Sequence, residues 1–377
     1  MTNNSKIIDW QSLEPEKFGQ NMVDAIRNLN SDDPEVRMEA LTDLFHISWH
    51  QGTLWWESAF VTPFLRQFIP HGTEEEKEWI LFDLAHFATG SSYHDAHQEI
   101  DKVMHPGRVD KPEYRARMAE ELKWVCDTHE EVYKGVNLYL DLLEDDSPKV
   151  RSAAAYVLSC CLKDAETIIP KLQQRFHCES DEMVKVTIVL CLTFISKKTS
   201  VNAAFFEKII NSKNSDFVKL SAAVSLAYVT GEQMSDNALE DLVKLLEIPE
   251  LFNRLSEYCY GRIADIHHWI LVDFLVRLRE EHKAKIIPVL LQVSWDFNEI
   301  ISFPFQCPKI PEKTTFENLT ESQQFVLRAI VDRQETWRYP RPNQMLTEIL
   351  GIKGSSPREQ RQKLIDFLSG EPLKYDR

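Results

Sequence analysis

The amino-acid sequence predicts an all-α protein, an α-solenoid of stacked helical hairpins. Valine followed by arginine or lysine recurs every 34 residues, at Val150-Arg151, Val184-Lys185 and Val218-Lys219, and an earlier unit begins in the same way at Val36-Arg37. Repeats of this length each form a helical hairpin and bury their apolar faces by stacking on their neighbours. The chain has only 11 glycines in 377 residues. This composition suits helices joined by short loops better than a sheet rich in tight turns.

Each of these units opens with a residue type that caps helix N-termini. The residues that stand three positions before the valines are Asp33, Ser147, Asp181 and Ser215. Side-chain oxygens at such positions accept hydrogen bonds from backbone N–H groups that have no partner in the first helical turn. Small or apolar residues follow at fixed offsets, among them Ala154 and Leu158. We therefore predict that a helix starts at each of the four positions.

The pattern divides the chain into four predicted segments. An N-terminal capping helix occupies residues 1–30, the repeat array residues 31–300, a Pro-rich linker residues 301–315 and a C-terminal helical segment residues 316–377. Within the array, Asp110–Thr128 and Val132–Leu143 are predicted to pair as one further unit. Within the last segment, Thr320–Gln323 and Ser356–Glu359 have the sequence of capping boxes and predict two helices.

Charge and cysteine content limit the class of partner and the compartment. The formal net charge is −16, which repels phosphate backbones and disfavours nucleic acid as a partner. The seven cysteines form no CxxC pair, so reduced thiols of a cytoplasmic protein are expected. Met1–Gln11 lacks an apolar signal core, and the longest run without a charged residue, Leu44–Trp56, is too short to cross a bilayer. We expect a cytoplasmic protein that does not enter the membrane.

Two runs of sequence, Asp33–Arg37 and Ser147–Ala154, resemble HEAT or HEAT-like repeats. The resemblance extends over roughly residues 30 to 250. A narrower similarity, to a group of bacterial HEAT-repeat proteins, is carried by Trp49–Thr53, Ala59–Leu65 and Leu319–Val331. The resemblance implies a right-handed solenoid of the ARM-type superfold. It also implies a scaffold, because most HEAT proteins present a curved groove to another protein, and the narrower group has no settled activity.

The most unusual local composition lies in Trp49–Phe64, where three tryptophans surround a Gly52-Thr53 turn. A second polar and aromatic loop, Gly90–His94, follows the next predicted helix. Rim tryptophans can anchor a partner, but they can also fill the junction between irregular repeats. If a binding site exists, we place it between the two loops. Its predicted contacts are Trp49, His50, Gln51, Trp55, Tyr93 and His97.

Histidines concentrate in the same first third of the chain. His46 and His50 are four residues apart and would share a face on one helix, and His94 and His97 could do likewise. Imidazoles so placed could bind zinc, with Asp83 or Asp95 completing the ligands. No His-Glu-x-x-His motif accompanies them. We therefore predict capping or hydrogen-bonding roles for these histidines, with no metal and no cofactor.

The leading functional hypothesis is a noncatalytic protein-binding scaffold that presents a curved, acidic solenoid surface to a partner protein. The acidity is compatible with a basic partner, but it is also an ordinary feature of solubility. The alternative is an enzyme, metal-dependent or otherwise, that acts through the first third. Two enzyme classes built on this fold are disfavoured. A dinuclear-iron hydroxylase needs several His-Glu pairs and the chain has only His129-Glu130, and a DNA glycosylase needs a basic groove.

Overall fold

The computed structural model describes residues 13, 18–196, 200–261, 274–293, 314–332, 337, 351–352, 354 and 356–371. The chain divides into two compact units, Met1–Ile195 and Ser196–Arg377. The described residues are almost entirely helical, which confirms the all-α prediction. Within them, the one sheet is a short hairpin in the first unit. No helix in the described ranges is long and apolar enough to cross a membrane.

The first unit consists of helices joined by short turns and one two-stranded hairpin. The helices are α1 (Gln20–Asn28), α2 (Pro34–Ser48), α3 (Trp56–Phe68), α4 (Glu74–Thr89), α5 (Tyr93–Ala96), α6 (Gln98–Met104), α7 (Pro112–Tyr133), α8 (Val136–Asp141), α9 (Pro148–Cys160), α10 (Ala165–Cys178) and α11 (Glu182–Ile195). The strands are β1 (Trp49–His50) and β2 (Thr53–Leu54).

The helices of the first unit pack against helices of the neighbouring repeats. Helix α9 packs against α4 on one side and against α11 on the other, whereas α3 packs against α7. The alanines of α9, such as Ala153 and Ala154, are fully buried and allow the helix axes to approach closely. Leu158 and Leu192 fill the core beside them. Each hairpin therefore obtains from its neighbours the apolar cover that it cannot supply itself.

The four predicted N-caps are confirmed. The side chain of Asp33 accepts a hydrogen bond from the backbone N–H of Glu35 at 2.9 Å, and Ser147 accepts one from Val150 at 3.4 Å. Asp181 accepts from Val184, and Ser215 accepts from the N–H of Val218. The recurrence in the sequence thus marks the same structural point, the first turn of a repeat helix.

Two arginine–glutamate ion pairs with buried carboxylates connect consecutive repeats at these helix starts. The Nε of Arg37 lies 2.7 Å from Oε1 of Glu76, and Arg151 contacts both carboxylate oxygens of Glu179 at 2.8 and 2.9 Å. Burial alone would raise the pKa of Glu179. Hydrogen bonds from Arg151, from the backbone of Asp181 and from Arg175 outweigh burial and lower that pKa to about 2. We call these two pairs the Arg–Glu rungs.

One predicted pairing is wrong. The segments Asp110–Thr128 and Val132–Leu143 do not form a hairpin of their own, because α7 continues to Tyr133 and packs against α3 and α4. The chain turns only at Gly135, where an added Cβ would lie 2.1 Å from the Tyr139 hydroxyl. Helix α7 is therefore the second helix of the repeat that α4 begins. Residues 90–111, with α5 and α6, are inserted between these two helices, and we call them the inserted segment.

The second unit continues with helical hairpins and ends in the predicted C-terminal helices. Its helices are α12 (Ala203–Ile210), α13 (Asp216–Thr230), α14 (Asp236–Leu246), α15 (Pro249–Gly261), α16 (Glu280–Val293), α17 (Glu321–Asp332) and α18 (Pro357–Leu368). Helix α13 packs against α12 and α14, and α17 packs against α16 and α18.

The caps of the last two helices agree with the sequence. Thr320 and Gln323 exchange backbone–side-chain hydrogen bonds at 3.0 and 3.3 Å, which is the predicted capping box. Ser356 accepts a hydrogen bond from the N–H of Glu359 at 3.3 Å. Most of the predicted Pro-rich linker, residues 301–313, lies outside the described residues. The boundaries at residues 30, 300 and 315 stay predictions.

Candidate functional site

The first of the two predicted site loops is a tight β-hairpin. Trp49 pairs with Leu54 and His50 with Thr53. The turn is therefore Gln51-Gly52, one residue earlier than the Gly52-Thr53 turn expected from the sequence. Both turn residues have positive φ, 48° and 86°, as two-residue hairpin turns of type I′ require. Glycine adopts such angles freely, but at Gln51 they cost roughly 1–2 kcal/mol.

The second loop lies directly against this hairpin. The N–H of Leu54 donates to the carbonyl oxygen of Ser91 at 2.9 Å, and the N–H of Ser91 donates to that of Gly52 at 2.9 Å. Gly90 permits the approach, because an added Cβ would lie only 2.5 Å from Cγ of Leu54. The structure thus brings together the backbones of the two loops that carry the six predicted contact residues. We call this region the hairpin–loop junction.

Two polar side chains of helix α7, those of Glu121 and His129, contact the hairpin–loop junction. Glu121 accepts hydrogen bonds from the Ser92 hydroxyl at 2.9 Å and from the backbone N–H of His94 at 3.0 Å, and its Oε1 lies 2.8 Å from Nδ1 of His94. Burial alone would raise the pKa of Glu121, but these hydrogen bonds outweigh it and lower that pKa. The Nε2 of His129 lies 3.2 Å from the Gly90 carbonyl oxygen, and burial lowers the pKa of this imidazole.

The six predicted contact residues divide into inner and outer ones. Trp49 is half-buried, with its ring 5.1 Å from those of both Phe45 and His86, so it fills the junction between repeats. In contrast, Trp55 is 41% exposed and Tyr93 is 46% exposed. The other three are His50 and Gln51, exposed in the hairpin, and His97, whose ring stacks on Tyr93 at 4.2 Å.

The four histidines considered for a metal do not form a metal site in the structure, and three of them have other positions or partners than a metal site would need. The premise that His46 and His50 share a helix face is wrong, because α2 ends at Ser48 and His50 lies in β1. His94 is hydrogen-bonded to Glu121, and Nδ1 of His97 lies 2.8 Å from the carbonyl oxygen of Tyr93. Among the described residues, no three His, Cys, Asp or Glu side chains are arranged to hold a metal ion.

Sequence reasoning missed an exposed apolar surface in the inserted segment. Helix α6 presents Ile100, Val103 and Met104 to solvent. Their spacing of three and four residues was visible in the sequence and is typical of one helix face. It was overlooked because the surrounding segment has no repeat period.

Two buried carboxyl groups were also missed. Asp83 on α4 is 4% exposed, and its Oδ2 has no hydrogen-bond partner. Burial raises the pKa of Asp83 well above its usual range. The Oε2 of Glu57 is likewise buried without a partner, and burial raises the pKa of Glu57. Both residues lie in repeat helices, where the sequence gives no sign of which polar side chain turns inward.

An open groove of about 410 Å³ lies between helices α8 and α10. Its lining carries leucine side chains and charges of both signs. The lining residues are Asn137, Leu140, Asp141, Leu143, Glu144, Lys171, Gln174 and Arg175. The Arg175 guanidinium donates to two carboxylates, with Nη1 2.6 Å from Oε2 of Glu144 and Nη2 2.9 Å from Oε2 of Glu179.

Stacked helical hairpins that cover one another's apolar faces define the class of α-helical repeat proteins, and this chain adds capped first helices and two Arg–Glu rungs. The chain is similar to HEAT-repeat proteins over part of its length: a family model described as HEAT repeats matches residues 136–227, from α8 into α13. Among curated proteins, none matches the chain. A solved structure titled as an engineered protein matches at 14% identity, covering 93% of this chain and 100% of that chain. The TM-score of this match is 0.28.

Proposed function

We propose that this protein is a noncatalytic protein-binding scaffold and that the hairpin–loop junction is its contact surface. The observation that carries the proposal is the exposure of Trp55 and Tyr93 on a backbone that is already fixed. Backbone hydrogen bonds join the hairpin to Ser91, and Glu121 fixes the start of α5. HEAT repeats are commonly protein-interaction scaffolds, which supports the same class of function.

The arrangement suits binding energetically. Trp and Tyr bury large apolar areas, carry a polar atom and lose little conformational freedom on binding, which explains their frequency among the residues that dominate interface energies. Since the loops beneath Trp55 and Tyr93 are held by hydrogen bonds, binding need not order them. A smaller entropic cost then leaves more of the contact energy as affinity.

The charge of the chain supports a basic partner. With a formal charge of −16, long-range attraction would speed the approach of a positively charged protein and would weaken as salt is added.

The test compares two tryptophans of equal exposure. Trp55 is 41% exposed at the junction, and Trp79 is 39% exposed on α4. Partners retained by the tagged protein from a lysate of its source cells are identified by mass spectrometry, and the affinity of each purified partner is measured by calorimetry. We expect Trp55→Ala combined with Tyr93→Ala to weaken binding by about 10- to 100-fold.

The control Trp79→Ala should leave the affinity within about twofold, and raising the salt concentration should weaken binding by the wild type. Equal losses of affinity from the Trp55→Ala/Tyr93→Ala double variant and from Trp79→Ala, or no loss from either, would refute the assignment of the junction. The alternative, an enzyme acting through the first third, stays a hypothesis. Metal analysis of a separate, untagged preparation tests its metal-dependent form, because that form requires stoichiometric zinc or iron.

A further inference from the structure

Helix α6 carries an apolar stripe that faces solvent. The exposed fractions are 59% for Ile100, 78% for Val103 and 67% for Met104. At a spacing of three and four residues, these side chains lie on one face of the helix. Single exposed apolar residues are ordinary, whereas these three neighbouring residues form one contiguous apolar patch on the helix.

The helix is held with this stripe facing outward. On its opposite side Asp101 is buried, and its Oδ2 lies 3.0 Å from the Tyr114 hydroxyl of α7. Arg108 pairs with Oδ1 of the same carboxylate at 3.1 Å, and the Tyr114 hydroxyl also lies 3.0 Å from the carbonyl oxygen of His94. Turning the stripe inward would break these contacts. Its exposure is therefore a property of the folded protein.

The charge around α6 differs from that of the whole chain. Residues 93–117 contain five acids and five bases and therefore have a formal charge of zero, whereas the chain carries −16. Two copies of so acidic a protein repel each other over most of their surface. The electrostatic repulsion between two copies is lowest where the local net charge is zero. Beside the stripe, Glu99 and Lys102 form an exposed ion pair with each other, so these two charges cancel locally.

We propose that α6 is a self-association surface, on which a second copy of this chain packs its own α6 about a two-fold axis. In such a contact the same patch serves both partners, so each stripe covers the other. The stripe is small beside the roughly 800 Å² per partner of a stable interface, so the dimer is weak, with a dissociation constant on the order of 10–100 µM. This inference does not rest on the proposed function, which involves the hairpin–loop junction.

Sedimentation equilibrium of the full chain from about 1 to about 500 µM tests the proposal over the affinities expected. We expect the mass to rise from monomer towards dimer with concentration. Adding salt should strengthen the association because it screens repulsion between the acidic copies. Binding to a basic partner should show the opposite dependence. Failure of one proposal can therefore be told from failure of the other.

Two substitutions of Val103 distinguish the effect of placing a charge in the contact from the effect of changing the net charge of the chain. Val103→Glu and Val103→Lys each place a charge in the stripe, and both should weaken the dimer at least about tenfold. Lysine lowers the overall repulsion, so its effect cannot come from added net charge. The matched control is Val201→Glu in the second unit, where the valine is 62% exposed, and it should behave as wild type. Circular dichroism confirms that each variant is folded.

A chain that stays monomeric throughout the concentration range would overturn the proposal. An association that both Val103 variants leave unchanged would also overturn it, because the contact would then lie elsewhere.

Discussion

The repeat from α9 to α11 and the inserted segment, residues 90–111, solve the same packing problem in different ways. In the repeat, small and aliphatic side chains bury a helix on several sides, and Arg151 closes the turn through Glu179. In the inserted segment, short helices are held by polar contacts of Asp101 and Glu121 to α7, and apolar side chains remain in solvent. In the repeat, packing against neighbouring helices dictates which side chains can be present. In the inserted segment, the exposed side chains are not constrained by such packing.

The largest expected effect comes from removing an arginine in each region. Arg151→Ala should lower the free energy of unfolding by about 3–5 kcal/mol, because it leaves the buried Glu179 carboxylate short of its main partner. Arg108→Ala removes the half-exposed partner of Asp101 and should cost less than about 1 kcal/mol. Urea unfolding monitored by circular dichroism compares them. Equal losses would contradict the distinction between the two regions.

The pH dependence of stability sharpens the same contrast. Since the pKa of Glu179 is about 2 in the folded protein, below its ordinary value of 4.5, the carboxylate stabilises the fold above pH 4.5. That contribution, roughly 3 kcal/mol, is lost as the pH falls from 4.5 towards 2. The stability difference between wild type and Glu179→Gln should therefore shrink over this range. A difference that stays constant with pH would show that the ion pair is not the cause.

A smaller effect of opposite sign is expected at Asp83 in α4. Its pKa is raised by burial, so the protonated acid is tolerated at low pH and a penalty grows as the pH rises above the ordinary value of 3.8. Asp83→Asn should therefore stabilise the protein by about 1–2 kcal/mol at pH 7 and have little effect near pH 4. The control is Asp43→Asn, at an exposed position on α2. Destabilisation at pH 7 would instead show that the carboxylate has a partner that needs its charge.

The smallest effect concerns the hairpin turn beside the inserted segment. Gln51→Gly relieves a positive φ and should raise stability by less than about 1 kcal/mol, because glycine also gains freedom in the unfolded chain. Thermal unfolding measures the change. If partner binding falls while stability rises, the Gln51 side chain is a contact of the junction. Unchanged binding removes it from the predicted set.

The repeat and the junction were not equally predictable from sequence. A helix start is a local event, so Asp33, Ser147, Asp181 and Ser215 could be assigned from their own side chains and spacing. The packing of α7 against α3 and α4 was missed because 22 inserted residues separate α4 from α7 in the sequence. The sequence does not say which helix α7 packs against after such an insertion. Sequence periodicity does not record that choice.

The candidate site was predictable only in outline. The two loops could be chosen for their composition, and the structure does join them, but through the backbone of Gly52, Leu54 and Ser91. Which side chain then faces inward depends on the hairpin register, which is why Trp49 packs against Phe45 while Trp55 stays exposed. The stripe on α6 had the visible spacing of a helix face, but its exposure is a tertiary property.

The position of the Arg–Glu rungs has a consequence for how such a chain can change length. Both rungs lie at the N-terminal ends of first helices, and the link between α4 and the turn before α9, Lys77 to Asp145, lies at that end too. Residues 90–111 leave α4 at its other end, so the extra chain interrupts none of these links. We therefore expect insertions to be tolerated at the edge where residues 90–111 leave α4 and to be penalised at the edge that carries these links. New surfaces can evolve at the tolerant edge while the array keeps its register.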